Sequence, residues 1–185
     1  MRQKRCCFFG HRSILSHEKV FRKLLAEVES AVIEGYDEFF IGHHGDFDRM
    51  ALDACRQIRE KYPQITITVI LTSPTQSTIT VKEEKGKILY TRPRYEGVET
   101  MIFDIEEIHY KKRISFSNRR MIENSDLAIC YVREDKAKSG AKTSLHYAQK
   151  TGKEIRNLYD LADHPFYQIP LNDFQARYKY FLKKR

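Results

Sequence analysis

Apolar residues in this chain fall into short β-branched or aromatic runs, which alternate with longer stretches where they recur every three or four positions. The first run, Cys6-Cys7-Phe8-Phe9, stops at Gly10 and predicts a buried strand. Over residues 18–34, Val20, Phe21, Leu24, Leu25, Val28, Ala31 and Val32 form one stripe of a helix, and Gly35 ends it. Residues 38–41 predict a second strand, and residues 48–61 a second amphipathic helix with Met50, Ala51, Ala54, Cys55 and Ile58 inward. Pro63 separates that helix from the β-branched run 65–71, a central strand by composition. Apolar strands separated by amphipathic helices imply a parallel sheet covered on both faces. With right-handed crossovers the fold class is α/β, a Rossmann-like three-layer sandwich with a mostly parallel central sheet.

The pattern is weaker in the middle. Residues 73–94 contain Pro74, Gly86 and Pro93, and read as a long connection holding a hairpin around Val81 and Leu89. Val98, Met101, Ile102, Ile105 and Ile108 then recur at helical spacing, so residues 96–110 predict a helix. Ser117 or Asn118 caps a helix running to Asn124. Residues 127–132 predict a strand, 143–151 a helix closed by Gly152, and 155–158 a last strand. Phe174, Tyr178, Phe181 and Leu182 predict a terminal helix over about 173–185.

Composition narrows the class further. With 41% hydrophobic residues over 185 positions the chain can bury a real core, which excludes wholesale disorder. No apolar run approaches the roughly 20 residues that span a bilayer, and no signal peptide opens the chain, so the expectation is a cytoplasmic protein without a membrane partner. Cys6 and Cys7 are adjacent while Cys55 and Cys130 sit inside apolar runs; with no CxxC they read as buried hydrophobes, not as disulfides or zinc ligands. The net charge of +8 favours anionic partners in general, phosphates and nucleic acid alike.

Three polar clusters sit where strands give way to loops or helices, the edge at which open parallel sheets bind ligands. The first is Gly10-His11-Arg12. The glycine permits close backbone approach, Arg12 can hold a phosphate through paired donors, and His11 can contact base, ribose or phosphate. The bland alternative is an exposed turn. The second is Gly42-His43-His44-Gly45-Asp46-Phe47-Asp48-Arg49, whose glycines leave room for an anion at a helix N-terminus. Asp48 serves there either as N-cap or as a partner for a ribose hydroxyl. The adjacent histidines lack the spacing of a metal site, so neither metal nor cofactor is expected. Should catalysis occur, Asp46, Asp48, His43 and His44 are the candidates for proton transfer. The third cluster joins Asn118 and Arg119 to Ser139, Gly140 and Thr143, a small phosphate cradle with side-on support. Its alternative is a helix cap beside a solvated basic face.

The blocks CCFFGHR, GHHGDFDRMA, NRRMIENSDLAICYV and SGAKTSLHYAQKTGKEI occur in that order between residues 6 and 155. Together they resemble the SLOG superfamily, and more narrowly its small bacterial YpsA-like, DUF1273-related members. The resemblance implies one Rossmann-like domain over 1–185 with an inserted connection at 73–117, and a nucleotide-type ligand. Gly10 and Arg12 match the family's first-strand Gly and Arg, Gly42 and Asp48 the outer positions of its GGxxGxD-like loop, and Ser139, Gly140 and Thr143 its phosphate loop. The phosphoribohydrolases of the superfamily carry a catalytic Glu in a PGGxGTxxE loop; here Tyr147 occupies that position, so their hydrolytic machinery is absent.

The leading expectation is therefore a protein that binds a nucleotide or nucleotide-sugar derivative, as sensor, carrier or sequestering module. The alternatives are a hydrolase or transferase acting on a nucleotide's N-glycosidic or phosphate bond, and a nucleic-acid binder. A homodimer through residues 96–110 and the aromatic tail is the expected assembly.

Overall fold

The computed structural model describes residues 3–82, 88–134 and 138–160. The chain runs β1 (Lys4–Gly10), α1 (His17–Ile33), β2 (Tyr36–Ile41), α2 (Asp46–Lys61) and β3 (Thr66–Leu71). The hairpin β4 (Thr78–Lys82) and β5 (Ile88–Pro93) follows, then β6 (Glu99–Ile102), α3 (Arg113–Glu123), β7 (Leu127–Tyr131), α4 (Gly140–Lys150) and β8 (Glu154–Asn157). The main sheet has the order β6-β3-β2-β1-β7-β8, every neighbouring pair parallel, while β4 and β5 pair antiparallel on their own.

Side chains alternate across the central strands and so divide between two cores. Cys6 and Phe8 of β1 pack with Leu24 and Val28 of α1 and with Ala51 and Cys55 of α2. Cys7 and Phe9 point the other way, to Met121 and Ile122 of α3 and Leu145 of α4. Three layers result: α1 and α2, the sheet, then α3 and α4. All four cysteines are fully buried and unbridged. Burial pushes the Cys7 thiol up to about 12, so it stays protonated at neutral pH. No helix among the described residues is long and apolar enough to cross a membrane.

The strand order reverses at β1, with β2 and β3 on one side and β7 and β8 on the other. Connections from β1 and β7 therefore leave toward opposite faces and open a crevice at their carboxyl ends.

Three expectations need correction. Residues 96–110 do not form a helix. Glu99–Ile102 instead pairs with β3, with Thr68 opposite Glu99 and Leu71 opposite Ile102. The exposed backbone edge of β3 satisfies four residues of extended chain, and Gly97 at φ +71° turns the chain just before them. The apolar positions divide accordingly: Ile105 is buried, whereas Met101 and Ile102 are 38% and 37% exposed. The next helix is not capped by Ser117 or Asn118. It starts at Arg113, continuing a turn of 3-10 helix at Tyr110–Lys112 that His109 caps, and Asn118 lies in its middle. The helix expected from residue 143 begins at Gly140, because Ser139 is its N-cap and its hydroxyl accepts from the Lys142 amide. The expected terminal helix at 173–185 lies outside the described residues.

Candidate functional site

Beyond the carboxyl end of β1 the chain turns through His11 and Arg12 and meets the β2–α2 loop at van der Waals distance. A Cβ on Gly45 would stand 2.8 Å from Cα of Arg12, and the Asp46 amide donates to the Arg12 carbonyl at 2.8 Å. Gly10 is packed as closely: a Cβ there would lie 2.6–2.8 Å from the fully buried Phe47 side chain. On the other flank His11 is tied to β7. Its amide donates to the Tyr131 carbonyl at 3.1 Å, and its Nε2 accepts from the Arg133 amide at 2.9 Å. That ring nitrogen is thus an acceptor spent on the fold.

The crevice encloses about 750 Å³. Of the residues expected to bind ligand, Gly10, His11, Arg12, His44, Gly45, Asp48, Asn118, Ser139 and Gly140 line it. Gly42 and His43 line a second cleft of about 440 Å³ on the other side of the β2–α2 loop, and the two share Arg12, His44, Gly45 and Asp48. Arg119 and Thr143 line neither. Arg119 lies over the Tyr147 ring at 5.3 Å on the outer surface of α3 and α4. Thr143 donates its hydroxyl to the Ser139 carbonyl at 3.1 Å, a bond internal to the helix start.

Arg12 is exposed, and its guanidinium has no ion pair or hydrogen bond among the described residues. It is a cation held at the divide between the clefts. Asp48 sits at the same divide. It is the third residue of α2 and not the N-cap, which is Gly45. Its Oδ2 accepts from the His44 amide at 2.8 Å, the reach-back that an acid at the third helical position makes to the residues before it. Burial pushes its carboxyl up to about 6, opposed by amides of His44 and Gly45 and by the nearby Arg12 charge.

Burial lowers His43 below the ordinary histidine range, and lowers His44 to about 4, with His43 and Arg12 adding to the second shift. Both imidazoles are therefore neutral at pH 7, and their rings lie with centroids 4.0 Å apart, tilted 42° to one another. Nε2 of His44 meets the Thr72 hydroxyl at 3.2 Å. Nε2 of His43 is buried and meets the distance and angle of a hydrogen bond with no group among the described residues. Gln76 lies beside His43 and opposes the downward shift of its ring, while its carbonyl oxygen accepts from the Thr72 amide at 2.9 Å and the Thr72 hydroxyl at 3.3 Å. Asp46 is engaged outside, with Arg49 at 2.7 Å and His17 at 3.7 Å.

On the far wall Ser139 spends its hydroxyl on capping α4, while the amides of Gly140 and Ala141 open that helix without a partner inside it. Asn118 bridges α3 to α4 by donating to the Ser144 hydroxyl at 3.2 Å. Sequence reasoning missed Tyr131, Tyr159, Arg133 and Ile114 in the larger cleft and Tyr95 in the smaller one. Tyr131 ends an apolar strand, and its position at the carboxyl edge of β7 was the available signal. It stacks on Phe47 at 6.1 Å and meets Tyr159 edge-on at 5.4 Å, giving the crevice an aromatic floor.

No family model matches the chain, and no curated protein matches it at a significant level. Solved structures do. The molybdenum cofactor carrier protein of Chlamydomonas reinhardtii superposes with a TM-score of 0.50 at 11% identity, over 83% of this chain and 75% of that one. Another structure of that carrier gives 0.49 at 12% identity over the whole of both chains. DNA processing protein A of Helicobacter pylori, whose structure addresses single-stranded DNA binding, gives 0.46 at 13% identity over 82% of this chain and 63% of that one. At 11% identity the first of these shows a shared fold and no more.

Proposed function

We propose that the larger cleft binds a nucleotide or nucleotide-sugar derivative, and that the protein acts as a sensor, carrier or sequestering module of the SLOG, YpsA-like type. The observation that carries this reading is Arg12, whose guanidinium makes no hydrogen bond or ion pair among the described residues and borders the cleft that the first residues of α4 also line. A planar donor fork opposite a helix N-terminus suits a phosphate. The floor of Tyr131 and Tyr159 suits the ring attached to it, since stacking on aromatic side chains is indifferent to which base is present. The test is isothermal titration with AMP on wild type and Arg12→Ala. Wild-type binding that weakens about tenfold or more in the variant, the value of a charge-assisted hydrogen bond, supports the reading. Unchanged affinity in the variant, or no binding to wild type, sinks it.

A catalytic reading draws on a different observation: Asp48 borders both clefts and carries a carboxyl raised to about 6, suited to proton transfer near neutrality. Hydrolase or transferase activity on an N-glycosidic or phosphate bond then requires Asp48. Product formation from nucleotides by wild type, lost in Asp48→Asn while AMP still binds, would establish turnover; absence of product in wild type would leave binding alone.

A further inference from the structure

We infer that anion binding in the larger cleft is proton-coupled: Asp48 takes up a proton from solvent as a phosphate settles on Arg12. The inference rests on the nucleotide reading of that cleft and adds its regulation by pH.

Arg12 and Asp48 stand together at the divide, and each lines both clefts. Packing holds them there. The Asp46 amide donates to the Arg12 carbonyl at 2.8 Å, and Gly45 abuts the Arg12 backbone. The Asp48 carboxyl is clamped between the His44 amide, 2.8 Å from Oδ2, and Gly42, where a Cβ would stand 2.9 Å from the same oxygen. The Arg12 charge reaches this spot, since it favours the ionised form of Asp48 and disfavours the charged form of His44. A phosphate on the guanidinium cancels that support and brings its own negative charge beside a half-buried carboxylate. The carboxyl cannot swing away, so the strain is relieved by protonation. Asp48 also lines the smaller cleft, which leaves a path for the proton while the larger one is filled.

The neighbouring groups do not offer the same response. Arg12, Arg49 and Arg133 stay cationic at every pH of interest. Burial holds His43 and His44 below the ordinary histidine range and Tyr95 above the ordinary tyrosine range. His11 accepts from the Arg133 amide through Nε2 and is neutral. Asp46 is engaged on the outer side by Arg49 and His17.

The experiment is isothermal titration with AMP from pH 5.5 to 8 on wild type and Asp48→Asn. The amide keeps an acceptor for the His44 amide and carries no charge. The ratio of the two affinities cancels titration of the AMP phosphate and of the histidines. Asp48→Asn is expected to bind about tenfold more tightly than wild type at pH 8, with the advantage gone near pH 5.5. That factor corresponds to a proton held about tenfold more tightly in the complex. Wild type gives a second reading without the variant. Heats in two buffers of different ionisation enthalpy at pH 7 are expected to show uptake of roughly 0.4 proton per AMP, whereas a phosphate bound to a guanidinium is pulled toward release. An affinity ratio that is constant with pH, or wild-type binding without proton uptake, overturns the coupling and leaves the nucleotide site standing. Failure of AMP to bind wild type overturns both readings together.

Discussion

The two helix starts that flank the crevice contrast sharply in packing. In the β2–α2 loop the glycines are demanded by space: Gly45 abuts the Arg12 backbone, and across the same contact Gly10 abuts Phe47. At the start of α4, Gly140 has nothing within 4 Å of where a Cβ would stand. One wall of the site is set by close contact between segments far apart in sequence. The other is set locally, by Ser139 capping its own helix. A glycine beside a candidate site is therefore no evidence of function until its neighbours are known.

Substitutions break this contrast in graded steps. The largest effect is expected from Gly10→Ala, because Phe47 is fully buried and its ring has nowhere to retreat; overpacking of this kind costs about 3 kcal/mol. Urea denaturation measures it, and a loss below about 0.5 kcal/mol would mean that the Phe47 ring pivots. Gly45→Ala is expected to cost about 2 kcal/mol, since the loop can move away from Arg12 only by stretching the Asp46 amide bond to the Arg12 carbonyl. It should also weaken nucleotide binding, whereas wild-type stability in this variant would show that the loop yields to a methyl group.

Asp48→Asn sharpens the comparison through pH. The folded carboxyl titrates near 6 against 3.8 in the unfolded chain, so the native state holds the extra proton between those values. Wild-type stability therefore falls from this group as pH rises from about 4 to 6, and the penalty stays constant above. The variant is expected to be more stable by about 1–2 kcal/mol at pH 7–8, a figure reduced from the full shift because the cleft admits water, with the gain vanishing near pH 4. His44 works in the opposite direction: its folded value near 4 against 6.5 means that stability is lost as pH falls through that window. Removing Asp48 should uncover this slope, and thermal melts from pH 4 to 8 read both. A variant no more stable than wild type at pH 8 would show that the carboxyl is not penalised by burial. The smallest effect belongs to Gly140→Ala, expected within about 0.5 kcal/mol of wild type because the first helical position has room for a methyl group.

Most of the fold was legible because its periodicities are strong and local. The stripe from Val20 to Val32 and the run from Thr66 to Leu71 each carry enough apolar spacing to identify their element without knowledge of a partner. Residues 96–110 carried a helical spacing just as regular, yet four of them, Glu99–Ile102, became a strand, because the open edge of β3 offers hydrogen bonds that no local pattern reports. The site divided in the same way. Arg12, Asp48 and Gly140 stood out as polar or small residues following strands, and the topology brings their segments to one edge. Arg119 looked equivalent to Asn118 in sequence but points to Tyr147, since one step along a helix turns a side chain by about 100°.

What the amino-acid order determined alone was the alternation of strands and helices, the burial of the cysteines and the segments from which a site could be assembled. These depend on hydrophobic spacing and on residues a few positions apart. Tertiary structure alone decided that Gly45 must be glycine, that the His11 ring nitrogen is spent on β7, and that Asp48 and two neutral histidines border two joined clefts. Those outcomes depend on distances between segments that only the packed sheet brings together, and on the desolvation that packing imposes.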